Sequence, residues 1–211
     1  MDGILNWILA GLLAYLVGGI NGSIIGSHIF FRDDIRRHGS GNAGSTNTLR
    51  TYGKLPAVFS FAFDTGKIAL AVLVGKLLGG QDCGYLCGVI GGLGHCFPVW
   101  YHFKGGKGVA CAVAALFMFD LRLFCLAAAI FFAIGLSTRY VSLASVVSAT
   151  WLPLGVWLFR PEKPYWAFAL VYCWIVIWLH RGNIARLRAG TESKISFSKK
   201  KKEAEDGEAK S

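Results

Sequence analysis

Charge is what this 211-residue sequence has least of. Only 16% of its residues are Asp, Glu, Lys or Arg, where soluble domains carry about 25%. Acidic residues are the scarcer sign, 12 against 22 basic ones. So few charges cannot cover a soluble globule, which excludes that class. Hydrophobic residues fill the deficit, at 54% of the chain and a mean hydropathy of +0.49. They recur in long runs along the chain, the pattern of several membrane spans and not of one oversized core. No basic segment precedes the first run after Met1, Asp2 and Gly3, and that run is too long for a signal peptide, so it is expected to be retained as a span. No RNA- or DNA-binding signature is present. The net charge of +10 is therefore assigned to loops that flank spans and to anionic lipid, with no nucleic-acid partner. The six cysteines, Cys83, Cys87, Cys96, Cys111, Cys125 and Cys173, lie in or beside apolar runs and read as small buried hydrophobes. Cys83 and Cys87 can share a helical face, but no His or Cys pair completes a metal site. Neither metal nor cofactor is expected.

Taken in order, the apolar runs predict an all-α polytopic membrane protein of about seven transmembrane helices. The first span covers Ile4 to Phe31 and the second Leu55 to Leu78. A Gly79–Asp82 turn then leads to a third from Cys83 to Trp100. Val109 to Leu136 is read as two short or tilted helices parted by Asp120-Leu121-Arg122. The last two spans cover Ser142 to Leu158 and Tyr165 to Leu179. Alternation then puts the Ser40–Arg50 stretch, the Lys104–Lys107 loop, the Arg139 turn and the C-terminal tail on one side. That side carries most of the Lys and Arg, so it is expected to be cytoplasmic, with the N-terminus outside. Residues 1–197 form one domain in this reading, and 198–211, with its Lys199–Lys202 run, a disordered charged tail.

Two glycine-rich stretches carry the candidate chemistry. Ser40-Gly41-Asn42-Ala43-Gly44-Ser45-Thr46-Asn47-Thr48-Leu49-Arg50 offers glycines that let backbone N–H groups curl around an anion, neutral polar side chains, and an arginine fork suited to phosphate. Phe103-Lys104-Gly105-Gly106-Lys107-Gly108 is a second cationic loop, a few residues after His95 and Pro98. Asp64 and Lys67, three apart inside the second span, are either a buried structural pair or support for a site. In the tail, His180, Asn183, Ile184 and Leu187 share a helical face, and Gly190 is a plausible stop. Two motif matches are decoys. Gly106-Lys107 is followed by Gly108, not Ser or Thr, and Tyr101 stands where a P-loop needs glycine. His28 and Asp33 have the His-x-x-x-x-Asp spacing of thioester-using glycerolipid acyltransferases, but the other boxes of that family are missing. Ser40 has no nucleophile elbow or triad around it.

The Ser40–Arg50 motif, Gly94-His95-Cys96-Phe97-Pro98 with Phe103–Ala110, and His180-Arg181-x-Asn183-Ile184-x-Arg186-Leu187-x-x-Gly190-x-Glu192 resemble, in order and spacing, the three signatures of a bacterial membrane family. It is the acyl-phosphate-dependent glycerol-3-phosphate acyltransferase family of the PlsY type. The likeness covers the chain up to about Phe197. Cys111 departs from it, standing where a Thr is expected. The resemblance implies transfer of a fatty acyl group from acyl phosphate to glycerol 3-phosphate, giving lysophosphatidic acid and inorganic phosphate. This is the first acylation of phospholipid synthesis, placed in the bacterial inner membrane and coupled to an enzyme that makes acyl phosphate. It implies that Ser40, Arg50, Lys104 and His180 are catalytic. It further implies that Gly41, Asn42, Gly44, Thr46, Asn47, His95, Gly105, Gly106, Lys107, Gly108, Asn183 and Glu192 bind substrate, with Glu192 holding the third motif in place. The residues alone agree: two phosphate anions, one with a lipid tail, need cationic cradles at a membrane surface. His180, His95 and the substrate phosphate remain open as the base. A small anion transporter is the alternative, although no internal repeat is visible and the cationic motifs gather on one side.

Overall fold

The computed structural model describes residues 2–161 and 165–195. The expected tail at 198–211 and most of the connector at 160–164 lie outside these residues. Those described form helices and loops with no strand. The helices are α1 (Asp2–Gly19), α2 (Gly22–Phe31), α3 (Ser45–Tyr52), α4 (Lys54–Cys96), α5 (Val109–Phe119), α6 (Leu121–Thr138), α7 (Val141–Phe159), α8 (Tyr165–Leu179) and α9 (Arg181–Arg188). Among the described residues, four segments are long and apolar enough to cross a membrane: Gly3–Phe31, Lys54–Tyr101, Leu121–Thr138 and Val141–Phe159. The bent pair of α8 and α9 makes a fifth, and Val109–Phe119 is a shorter apolar helix.

The first span is not continuous. Asn21 interrupts it, because an Asn side chain competes for backbone N–H groups and favours a helix start over a helix middle. Its Oδ1 accepts from the N–H groups of Ser23 and Ile24, both at 3.0 Å. The expected turn at residues 79–82 shrinks to two non-helical residues, Gly79 and Gly80, inside α4. Gly80 has φ +80, which glycine adopts without strain. The arms on either side double back. An added Cβ at Gly75 would lie 2.9 Å from Gly84 Cα, one at Gly88 3.0 Å from Val72, and one at Gly91 2.9 Å from Ile68. These pairings run antiparallel, so α4 is a hairpin whose arms meet through glycine. Gly18 packs on the Gly91 carbonyl and Gly94 on the Tyr15 carbonyl, which seats α1 against the returning arm. Cys83 and Cys87 pack there with Ala10, Ala14 and Ala71. Cys111, the departure from the family pattern, is fully buried against Ile68, Val72 and Ala114.

The loops gather at the two ends of the bundle. At one end Asp120 caps α6 and holds Arg122 and Arg160, Tyr165 donates to Asp82, and Tyr85 donates to the Phe119 carbonyl at 3.3 Å. At the other, Arg50 donates to the Ser193 carbonyl at 2.8 Å, Lys107 to Asn183, and Ile195 N–H to the Arg139 carbonyl at 2.9 Å. The first glycine stretch, the second glycine loop, the Arg139 turn and the tail thus meet at one end.

Candidate active site

The first motif is not an open loop. Its second half is α3, and Asn47 on that helix ties the rest down. Asn47 Oδ1 accepts from Ser40 N–H at 3.0 Å, and its amide nitrogen serves the carbonyls of His38 (2.9 Å), Asn42 (3.1 Å) and Ile35 (3.3 Å). With its polar atoms committed this way, Asn47 shapes the loop from a position on the cavity lining. Gly41, at φ +70, makes the turn before it. Asn21 donates to the Ala43 carbonyl at 3.0 Å, so the break in the first span anchors this loop from below.

The second motif folds over His95. Gly106 N–H donates to the His95 carbonyl at 3.1 Å. A Cβ on Gly105 would collide with that carbonyl, and one on Gly106 would collide with His95 Nε2 and lie 2.8 Å from the Ala43 carbonyl. Glycine is therefore required for the two loops to touch. Gly108, at φ +79, starts α5, and its carbonyl accepts from the Tyr172 hydroxyl at 2.7 Å. Beneath His95 lies the ion pair raised by the sequence. Lys67 Nζ is 2.7 Å from Asp64 Oδ1, 3.0 Å from His95 Nδ1 and 2.5 Å from the Ile20 carbonyl, while Asp64 also accepts from Gly22 N–H at 3.0 Å.

The third motif closes the site. His180 follows the end of α8 and starts α9. Its Nδ1 lies 2.7 Å from the Val176 carbonyl, which fixes Nδ1 as the donor and Nε2 as the acceptor. Burial, and then the charge of Lys107, lower its pKa to about 4. Lys107 donates to Asn183 Oδ1, Asn183 Nδ2 donates to Glu192 Oε1 at 2.7 Å, and Arg186 Nε donates to Glu192 Oε2 at 2.7 Å. Both Glu192 oxygens are thereby occupied by residues of the same motif. Burial lowers the pKa of Lys107 to about 8. Glu192 opposes the shift, and the cations Arg186 and Arg50 add to it. Burial also lowers that of Arg50. Positive charge is crowded here, with Glu192 as the nearby counter-charge.

These groups line one cavity of about 530 Å³. Three helices begin on it without a side-chain cap: α3 after Gly44, α5 after Gly108 and α9 after His180. Uncapped helix starts leave backbone N–H groups unpaired at the positive end of the helix dipole, which suits an anion. Arg50 Nε is buried with no partner among the described residues, a donor that a bound phosphate would satisfy. The other half of the cavity is apolar, formed by Val113, Leu116, Phe124, Ala128, Phe131 and Leu152. Ser40, Asn42, Gly44, Thr46, Asn47, Arg50, His95, Lys107, Gly108, His180, Asn183 and Glu192 all line it. Lys104 does not: it is exposed on the loop outside the lining, as Gly41 is on the first loop, while Gly105 and Gly106 act from behind through His95. Sequence reasoning missed Ser142, Ser145 and Ile195, which also line the cavity. The serines three apart on α7 were a readable polar stripe, whereas nothing local marked Ile195. The His28/Asp33 decoy dissolves. His28 Nδ1 meets the Ile24 carbonyl at 2.9 Å, and Asp33 pairs with Tyr52 and His38.

The sequence profile described as glycerol-3-phosphate acyltransferase matches residues 8–190. Among relatives, glycerol-3-phosphate acyltransferase 2 of Moorella thermoacetica is 42% identical over 190 residues, covering 90% of this chain and 97% of the relative. The glycerol-3-phosphate acyltransferase of Agrobacterium fabrum is 40% identical, covering 89% and 91%. Two crystal structures of PlsY (YgiH), an integral membrane glycerol 3-phosphate acyltransferase, superpose on the fold. The glycerol 3-phosphate form gives a TM-score of 0.83 at 33% identity over 90% of this chain and 96% of the other. The lysophosphatidic acid form gives 0.78 at 31% identity over 90% and 95%.

Proposed function

We propose that this integral membrane chain, which belongs to the glycerol-3-phosphate acyltransferase family, acylates glycerol 3-phosphate to lysophosphatidic acid with a fatty acyl phosphate as the donor. The observation that carries this is one cavity that joins a cradle of three uncapped helix starts and the unpaired Arg50 Nε to an apolar trench. Both substrates bring a phosphate and one brings an alkyl chain. An acyl phosphate is already activated. The glycerol hydroxyl attacks its carbonyl carbon, the carbon–oxygen bond to phosphate breaks, and inorganic phosphate leaves with the bonding pair. The hydroxyl proton passes to a phosphate oxygen or to His180 Nε2. Orientation and fixed positive charge supply the catalysis, so no covalent enzyme intermediate is needed. Arg50, Lys107 and the N–H groups that open α3 and α5 hold the phosphates, and exposed Lys104 and Ser40 meet them at the rim.

The proposal includes seven spans in a bacterial inner membrane, with the N-terminus outside and the motifs facing the cytoplasm. The antiparallel α4 hairpin and the gathering of loops at two opposite ends support that count. The Lys and Arg of the motif end support the orientation. Cysteine labelling at position 104 tests it, and labelling from the periplasmic side would refute it. The donor is tested with purified protein, acyl phosphate, glycerol 3-phosphate and a chelator. Release of phosphate in step with lysophosphatidic acid is expected. Preference for acyl-CoA, or anion flux across liposomes without phosphate release, would overturn the reading. The donor's reactivity in water favours direct hand-over from the enzyme that makes it.

A further inference from the structure

A second cavity, of about 270 Å³, lies further along the same helices. Its walls are apolar, and Ala112, Leu116, Leu152 and Tyr172 line both cavities. The two therefore adjoin through α5 and α7. Along α5 the lining passes from Val109 and Ala110 in the first cavity, through Ala112 and Leu116 in both, to Phe119 in the second. Polar contacts cross between helices at the far end. Tyr165 donates to Asp82, both lining residues, and Tyr85 donates to the Phe119 carbonyl at 3.3 Å. Phe119, Tyr85 and Tyr165 stack edge to face behind them, with centroids 4.3 to 5.7 Å apart.

We infer that this second cavity receives the distal end of the donor's acyl chain and sets the longest chain the enzyme accepts. The inference rests on the acyl-transfer reading above. The α5 helix has 11 residues, so at about 1.5 Å per residue it advances roughly 15 Å from the cradle to Phe119. An extended chain advances about 1.2 Å per bond, taking 3.3–3.6 Å for the three bonds of a residue, so that distance holds roughly a dozen bonds. A chain arriving from the bilayer gains little by leaving one apolar medium for another. Shape then decides which chain is accepted. A chain that fits fills the cavity, and a longer one has to unseat the Tyr165–Asp82 contact or bend back toward lipid.

Val89 and Leu86 line only the second cavity, one helical turn apart on α4. Val89→Trp occupies the space a distal chain would take. The measurement is kcat/KM for lauroyl phosphate divided by that for octanoyl phosphate, in detergent, at saturating glycerol 3-phosphate. Overfilling a packed apolar site costs enough to lower this ratio roughly tenfold to a hundredfold. Leu86→Phe, the milder change, should lower it in the same direction, and it is the deciding variant if Val89→Trp does not purify as a folded protein. A ratio unchanged in a folded variant, or equal losses on both donors, overturns the inference and leaves the acyl-transfer reading standing. A wild-type enzyme that turns over neither donor removes both together.

Discussion

His180 separates two ways of taking the proton from the attacking hydroxyl. Its Nδ1 is committed to the Val176 carbonyl at 2.7 Å, so Nε2 is the acceptor nitrogen of a ring that lines the cavity. Burial, reinforced by Lys107, brings its pKa from the ordinary 6.5 to about 4. Burial and the neighbouring Lys107 thus disfavour a protonated ring, which leaves the substrate phosphate as the group to take the proton. We therefore expect His180→Gln to raise KM for glycerol 3-phosphate and to keep turnover within about tenfold of wild type, whereas loss of a general base costs roughly 10²–10⁴-fold. Gln places an amide where Nε2 stood and Asn one where Nδ1 stood, so Gln should outperform Asn if Nε2 holds substrate. The acid limb of the rate profile near pH 6 should survive in both variants. A stability measurement gives an independent check. The folded pKa lies below the unfolded one, so the unfolded chain binds the proton first as pH falls. The stability held by the neutral ring is complete above pH 6.5 and is lost between 6.5 and about 4, roughly 3 kcal/mol at about 1.36 kcal/mol per pH unit. Melting temperatures in detergent should fall across that window in the wild type and fall less in His180→Gln. A His180→Gln enzyme with normal KM, a thousandfold lower kcat and no limb near pH 6 would refute the reasoning.

Three further outcomes follow from contacts already described. Arg50→Lys replaces a planar fork with a point charge and loses the Nε donor, so activity should fall at least tenfold with the protein still folded; near-wild-type turnover would remove Arg50 from the site. Gly106→Ala sets a methyl against His95 Nε2 and 2.8 Å from the Ala43 carbonyl. The loops must part, so KM for glycerol 3-phosphate should rise by about tenfold or more with a smaller effect on kcat, and unchanged kinetics would show that the contact is slack. Lys67→Met leaves Asp64 buried beside His95 without its 2.7 Å partner, a change that typically costs about 3–5 kcal/mol; Asp64→Asn combined with Lys67→Met should recover part of it, and a double variant no more stable than the single would refute the pairing.

The spacing of the three motifs was legible because each chemical need is local. Gly106 and Gly108 occupy positions where a side chain collides or φ is positive, Glu192 follows Asn183 by nine residues across the end of α9, and Asp120 sits beside the Arg122 it pairs with. The parts that escaped depend on partners distant in sequence. Asn21 sits in an apolar run, and while its cap on Ser23 and Ile24 is local, its hold on the Ala43 carbonyl lies 22 residues on. Residues 45–52 are poor helix formers by composition, and α3 exists because Asn47 collects three carbonyls that would otherwise splay the loop. Lys104 and Lys107 look equivalent in sequence. Gly105, pinned under the His95 carbonyl, separates them, leaving Lys104 exposed and carrying Lys107 inward to Asn183.

The buried charges connect these points. A break in a membrane span frees carbonyl and N–H groups that lipid cannot satisfy. Here Lys67 takes the Ile20 carbonyl, Asp64 takes the Gly22 N–H, and Asn21 between them is left to hold Ala43. The same Lys67 reaches His95, whose carbonyl holds Gly106. Both glycine loops are thus suspended from one cluster at the helix break, and the cluster's charges are satisfied before any substrate arrives. An apolar replacement of the pair would save its desolvation cost, but it would leave the broken backbone unsatisfied and both loops unanchored. In this fold the ion pair and the interrupted first span together form the scaffold that fixes the two glycine loops relative to each other.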